Sequence, residues 1–276
     1  MRKDKFKSEI LINKVHRVLK KIQNDPAVFE NIFTQLFEKD FNEQLDKINT
    51  VKEGKLKGLI ISVKDLFDVK GYKTKGGTKF INDKDAQKDA KCISLIRNAG
   101  GLLLGHTNMT ELAYSGLGIN PHYGTPSNPI FKNAVPGGST SGGAVSIALG
   151  VSDITIGTDT GGSTRIPAAF TGITGFKPTQ DSISRKGALV LSTSLDSVGL
   201  MAKDVKHCKL GFETMRNKTT LQPYDSNINN IKIIVPKNFG FENIDAKVEE
   251  GFEAAKNKII ESGFDILESD IPLLDK

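Results

Sequence analysis

Three residues in this 276-residue chain have the types and spacing for acyl-transfer chemistry. Two Ser/Gly clusters carry two of them. The first is Gly137-Gly138-Ser139-Thr140-Ser141-Gly142-Gly143; the second is Gly157-Thr158-Asp159-Thr160-Gly161-Gly162-Ser163-Thr164-Arg165. Upstream, Lys64 ends the apolar run Gly58-Leu59-Ile60-Ile61-Ser62-Val63. Lys64 precedes Ser139 by 75 residues, and Ser139 precedes Ser163 by 24. A serine hydroxyl is a poor nucleophile until a base takes its proton. The usual base is histidine, yet His16, His106, His122 and His207 stand in no recognisable nucleophile setting. Neither serine lies in a G-x-S-x-G elbow. A lysine can serve instead when burial strips its proton near neutral pH. Lys64, behind its apolar run, is placed for that role. Taken alone, a lysine at a strand end usually reaches for solvent.

The second cluster adds another ingredient. Consecutive N–H groups in a glycine-permitted turn can converge on an anion. If Ser163 attacks a carbonyl, the backbone amides of Thr160, Gly161, Gly162 and Ser163 are placed to hold the oxyanion. A single Gly-Gly-Ser by itself is a plain turn. The first cluster could alternatively bind phosphate at the start of a following helix. However, the chain has neither G-x-x-x-x-G-K-[ST] nor G-x-G-x-x-G in these clusters. Asp65, Asp68, Asp159 and Glu111 form no metal-ligand spacing. No cofactor and no metal are therefore expected.

The elements that must position these residues read as α/β. Residues 5 to about 50 carry helically spaced apolar positions, broken near Asp25-Pro26: Val15, Val18, Leu19 and Ile22, then Phe29, Ile32, Phe33, Leu36 and Phe37. This predicts a helical N-terminal segment over 1–57, before a core over 58–276. Gly58–Val63 reads as a buried strand with Lys64 at its end, Ala90–Ala99 as a helix stopped by Gly100-Gly101, and Leu102-Leu103-Leu104 as a second strand. Residues 116–136 form a long Gly/Pro/Asn-punctuated loop, of the kind often functional. Ser141–Gly150 reads as a small-residue helix, Ile154-Thr155-Ile156 as a strand, and a further helix starts near Pro167. Ile231–Val235, Ala246–Ile260 and Phe264–Leu267 make a βαβ unit, which favours a largely parallel sheet. The polar stretch 217–230 reads as a surface loop or a linker.

Composition sets outer limits. Hydrophobic residues make up 38% of the chain, enough for a sizeable core, and net charge is +6. The lysines are scattered rather than blocked, so no direct nucleic-acid contact is expected. Cys92 and Cys208 are far apart and fit reduced thiols. No apolar run approaches the ~18 residues of a membrane span. The N-terminus Met1-Arg2-Lys3-Asp4-Lys5 has no apolar run behind it to make a secretory signal. A cytoplasmic protein without membrane contact is expected.

Taken together, the motifs resemble the amidase signature family from Gly58 to about Ala202. The resemblance rests on Val63-Lys64-Asp65, Thr107-Asn108-Met109-Thr110-Glu111, Pro136-Gly137-Gly138-Ser139, Asp159–Arg165, Gly175-Phe176-Lys177-Pro178-Thr179 and Ser194–Gly199, in order. It implies a mixed sheet sandwiched by helices and a Lys–Ser–Ser triad. Ser163 matches the nucleophile. Ser139 matches a bridging serine in a cis peptide, and Lys64 matches the lysine that starts the relay as a neutral amine. Asp159 and Arg165 match structural positions. Two activities stay open. One is a stand-alone amidase acting on a small-molecule amide, favoured by Tyr114–Pro126 and Gly157-Thr158-Asp159. The other is that of the glutaminase component of glutamyl-tRNA(Gln) amidotransferase, which draws ammonia from glutamine beside partner subunits. A homodimer is compatible with either. Family members continue beyond Lys276, so the resemblance implies that a C-terminal part is lacking here. An inactive family fragment is the third reading.

Overall fold

Four runs buried along their whole length form the middle of a six-stranded sheet: β2 (Ile60–Lys64), β3 (Leu102–Thr107), β4 (Ile154–Asp159) and β6 (Ser197–Ala202). Strands covered on both faces show no alternation of apolar and polar residues, which is why they read as continuous runs. Two short strands, β1 (Phe33–Leu36) and β5 (Thr174–Phe176), close the edges, giving the order β1-β3-β2-β4-β6-β5. The chain is described from a computed structural model, which covers residues 2–51, 54–81, 83–216 and 231–275. The polar stretch 217–230 lies outside the described residues.

The sheet is mixed, as the resemblance implied, rather than largely parallel. β2 runs parallel to β3 and β4, whereas β1, β6 and β5 each run antiparallel to their neighbours. β4 and β5 therefore point the same way, joined through helix α6 (Arg165–Thr171), and β6 returns between them. A strand inserted from later in the chain leaves no signal in the β4–α6–β5 segment itself.

The N-terminal segment departs from an all-helical reading. Its helices are α1 (Arg2–Asn24), α2 (Pro26–Phe29) and α3 (Phe41–Thr50), with the break at Asp25-Pro26 where expected. Between α2 and α3 lies β1, whose flanks Ile32 and Phe37 are fully buried. The Phe37 amide donates to the Leu104 carbonyl (2.9 Å), and the Asn108 amide donates to the Ile32 carbonyl (2.8 Å). Pairing with β3 overrides the helical spacing of the phenylalanines. Further along β3 the buried Gln44 side chain takes the place of a strand, accepting from Leu103 N (2.8 Å) and donating to Leu103 O (3.0 Å).

Both faces of the sheet are covered. Helix α5 (Ser141–Ala148) meets one face, where Ser146 shares a hydroxyl cluster with Ser62 of β2 and Thr155 of β4. Helix α7 (Val205–Met215) packs its Gly211 against Ile154 and Leu200 on the other face, and α4 (Lys91–Asn98) packs on α7. Cys92 and Cys208 are buried and free. Contacts divide the chain into two units, Met1–Lys218 and Thr219–Lys276. The second contains β7 (Ile233–Pro236), α8 (Ala246–Glu261) and β8 (Ile266–Ser269), with the two strands parallel, as a βαβ unit requires. Asp245 caps α8 by accepting from Lys247 N (2.9 Å).

Candidate active site

Lys64 ends β2 with no solvent exposure at all. Its Nζ lies 2.7 Å from Ser139 Oγ and 3.0 Å from Thr158 Oγ1. Both partners are neutral hydroxyls, so no carboxylate in contact compensates an ammonium charge. Burial pulls the lysine down to about 7, against the opposing pull of Asp159 and Asp196. Near neutral pH a large fraction is therefore free amine, able to accept a proton from the Ser139 hydroxyl.

Ser139 closely precedes α5 and sits on a cis Gly138–Ser139 peptide. Three backbone bonds fix this turn. Gly138 N donates to Gly116 O (2.7 Å), Thr110 N donates to Ser139 O (3.0 Å), and Thr140 N donates to Ser163 O (3.2 Å). The last of these stitches the two Ser/Gly clusters together.

Ser163 lies in the loop between β4 and α6. The loop is stapled by Asp159, which is fully buried. Its carboxylate accepts from Thr164 N (3.1 Å), Arg165 N (3.3 Å), Arg165 Nε (3.0 Å) and Arg165 Nη2 (2.8 Å). Burial works against its charge, but the Arg165 guanidinium and the loop amides outweigh it and hold the carboxyl below its usual range. Gly162 has φ 138°, and a Cβ there would meet Ile166 Cδ1 at 2.6 Å. Glycine is required by conformation and by space. Among the described residues, the amides of Gly161, Gly162 and Ser163 donate to nothing. Thr160 is tethered through its side chain, with Oγ1 donating to Asp196 (2.6 Å). Ser163 is 8% exposed and opens onto a small cleft with Tyr114, Gly161 and Leu191. Its hydroxyl makes no hydrogen bond to a described residue, so the Ser139–Ser163 link is not closed in this structure. Catalytic contacts are often loose without substrate.

The chain matches the family model described as Amidase over residues 14–276. It belongs to the amidase signature family. The glutaminase-type A chain of glutamyl-tRNA(Gln) amidotransferase from Chromohalobacter salexigens is 38% identical over 231 residues, covering 79% of this chain and 47% of the relative. The Methanococcus maripaludis protein of the same description is 31% identical and is matched over 95% of this chain and 64% of its own length. A crystal structure of an amidase superposes with a TM-score of 0.83 at 30% identity, over 96% of this chain and 63% of that one. The chain thus spans between about half and under two thirds of these relatives.

The sequence motifs of this family member named Lys64 and Ser139, which the fold brings together, but gave no role to two supporting residues. Thr158, one residue before the staple Asp159, was visible only as part of a cluster. Asp196 holds the other side of the site, accepting from Thr160 Oγ1, Leu191 N (2.9 Å) and Ser192 N (3.0 Å). It lay in plain view in Ser194–Gly199, but its partners come from 36 and 5 residues away. Among the described residues no group of three His, Cys, Asp or Glu is placed to hold a metal, and no helix is long and apolar enough to cross a membrane.

Proposed function

We propose that this chain cleaves a carboxamide C–N bond through an acyl-enzyme on Ser163, acting on a bond other than a peptide bond. The observation that carries the reading is the buried Lys64 Nζ, 2.7 Å from Ser139 Oγ and drawn down to about 7. In this mechanism the free amine of Lys64 takes the Ser139 proton as Ser139 takes the Ser163 proton. Ser163 Oγ then bonds to the amide carbon. Charge builds on the carbonyl oxygen, where the unoccupied amides of the Thr160–Ser163 loop receive it; losing one such donor costs about 3–4 kcal/mol of barrier. The proton returns through Ser139 to the amide nitrogen, and the C–N bond breaks with release of the amine. Water then attacks the acyl carbon over the same relay and restores Ser163.

The test is intact mass after exposure to a fluorophosphonate, comparing the chain with Ser163→Ala. One adduct, absent in the variant, supports the relay. No adduct on a cooperatively folded chain favours the non-catalytic reading.

A second reading is favoured by the names of the relatives. They are components of glutamyl-tRNA(Gln) amidotransferase, and in that setting ammonia rather than water would be the useful product. It calls for ammonia release from glutamine by this chain only when partner subunits and charged tRNA are present. A reconstituted mixture that releases none removes it.

A further inference from the structure

A cavity of about 610 Å³ opens beside the Lys64–Ser139 pair and shares Thr158 with it. Its wall is mainly apolar: Leu66 and Met109 are buried in it, and Leu112, Ile119, Leu189 and Val190 line it further out. Among the described residues, no lysine or arginine lines it. Its two carboxylates are already engaged. Asp196 accepts three hydrogen bonds, from Thr160, Leu191 and Ser192. Glu111 is paired with His122 Nε2 at 2.7 Å. The backbone that forms one side is unusual, since Leu112 and Ala113 both take left-handed φ (50° and 62°) without being glycine. The amide of Leu112 donates to Gly76 O (2.9 Å), which fixes that wall. Non-glycine residues in this region are held there by their surroundings and cluster at ligand sites.

We infer that this cavity receives an uncharged, apolar group of the amide substrate, so that the preferred class is an alkyl or aryl carboxamide rather than one bearing a carboxylate. The inference rests on the amide-cleavage reading for the reacting centre. An apolar group entering the cavity removes the Leu, Met, Ile and Val surface from water. A carboxylate would leave water to sit among apolar walls beside two acids with no cation to meet it, and its desolvation would go uncompensated. An ammonium group would have to displace the hydrogen bonds that Asp196 and Glu111 already make. This class separates the two functional readings, because free glutamine carries both charges.

The test uses the full chain and three probes of equal length: hexanamide, its ω-carboxylate analogue and its ω-amino analogue. Binding is measured to Ser163→Ala by ligand-detected NMR titration, and turnover is measured with the parent chain. Hexanamide is expected to bind at least about 100-fold tighter than the carboxylate and about ten-fold tighter than the amine. Val190→Arg, a change at an exposed wall position, is expected to shrink the gap to the carboxylate by about ten-fold. Equal or tighter binding of either charged probe, or no binding of hexanamide, overturns the inference. Selective binding with no Ser163 adduct and no turnover would instead overturn the cleavage reading and leave the cavity assignment standing. Turnover that ignores the end group would do the reverse.

Discussion

Asp65 Oδ1 lies 3.5 Å from His106 Nδ1, and both side chains are shut off from solvent. His106 Nε2 faces the Phe67 carbonyl at 3.0 Å, so that nitrogen carries the ring proton and Nδ1 turns a lone pair to the carboxyl. Burial raises Asp65 to about 7 and lowers His106 to about 4. The pair is therefore largely uncharged on the acid side of neutrality, directly after the lysine that must itself be neutral to act.

The two shifts oppose each other in their effect on stability. Between its ordinary 3.8 and about 7, folded Asp65 keeps a proton that the unfolded chain has lost, so its contribution falls as pH rises. Between about 4 and its ordinary 6.5, unfolded His106 holds a proton that the folded chain refuses, so its contribution grows as pH rises. From about 4 to 6.5 the slopes nearly cancel. Asp65→Asn removes one of them. Urea titrations of this variant are expected to show stability climbing over that window by up to about 1.4 kcal/mol per pH unit relative to the parent. Parallel curves for the two proteins would refute the pairing.

Lys64 gives a second pH signature. The free amine is the active form, so kcat/KM is expected to rise up to about pH 7 and level off above it. Folded Lys64 loses its proton near 7 and unfolded Lys64 only near its ordinary 10.5, so stability contributed by this site rises with pH across that interval. Lys64→Met is expected to abolish turnover while keeping or raising the melting temperature at pH 7, and to flatten the rise toward pH 10.5. A marked drop in melting temperature at pH 7 would contradict the cost assigned to burying this amine.

Thr158→Val deletes one of the two hydroxyls facing Lys64 Nζ while keeping the side-chain shape. A hydrogen-bond acceptor steadies the ammonium form. Its loss is expected to shift the acid limb of the pH–rate profile to lower pH and to lower kcat about five-fold. Thr158→Ser is expected to restore the limb. An unmoved limb in the valine variant would show that Ser139 alone sets the behaviour of the lysine.

Asp159→Asn keeps the shape of the loop staple but weakens its four hydrogen bonds from Thr164 and Arg165. Because Arg165 is half exposed, the expected loss of stability is moderate, about 1–3 kcal/mol by thermal or urea melts. Ser163 labelling by the fluorophosphonate is expected to slow, since the loop amides lose their anchor. Unchanged labelling would mean that the loop holds its shape without this carboxylate.

Much of the chemistry was legible in the one-dimensional order of residues. Lys64 at the end of an apolar run, Ser139 before a small-residue helix, and Ser163 in a Gly-Gly-Ser loop could be named because each type and its near neighbours define a local job. Helix breaks at Asp25-Pro26 and the βαβ unit at the C-terminal end were equally local. What required the folded chain was long-range. Phe33–Leu36 has helical spacing yet becomes an edge strand, because its amides and carbonyls find β3 some 70 residues later. Ser197–Ala202 enters between β4 and β5, which no pattern within that segment announces. Thr158 and Asp196 acquire their roles only from that sheet order, which sets them beside Lys64 and Thr160. Periodicity reports how one element meets its surroundings; which distant residue stands opposite is decided by packing, and here packing decided the environment of the lysine.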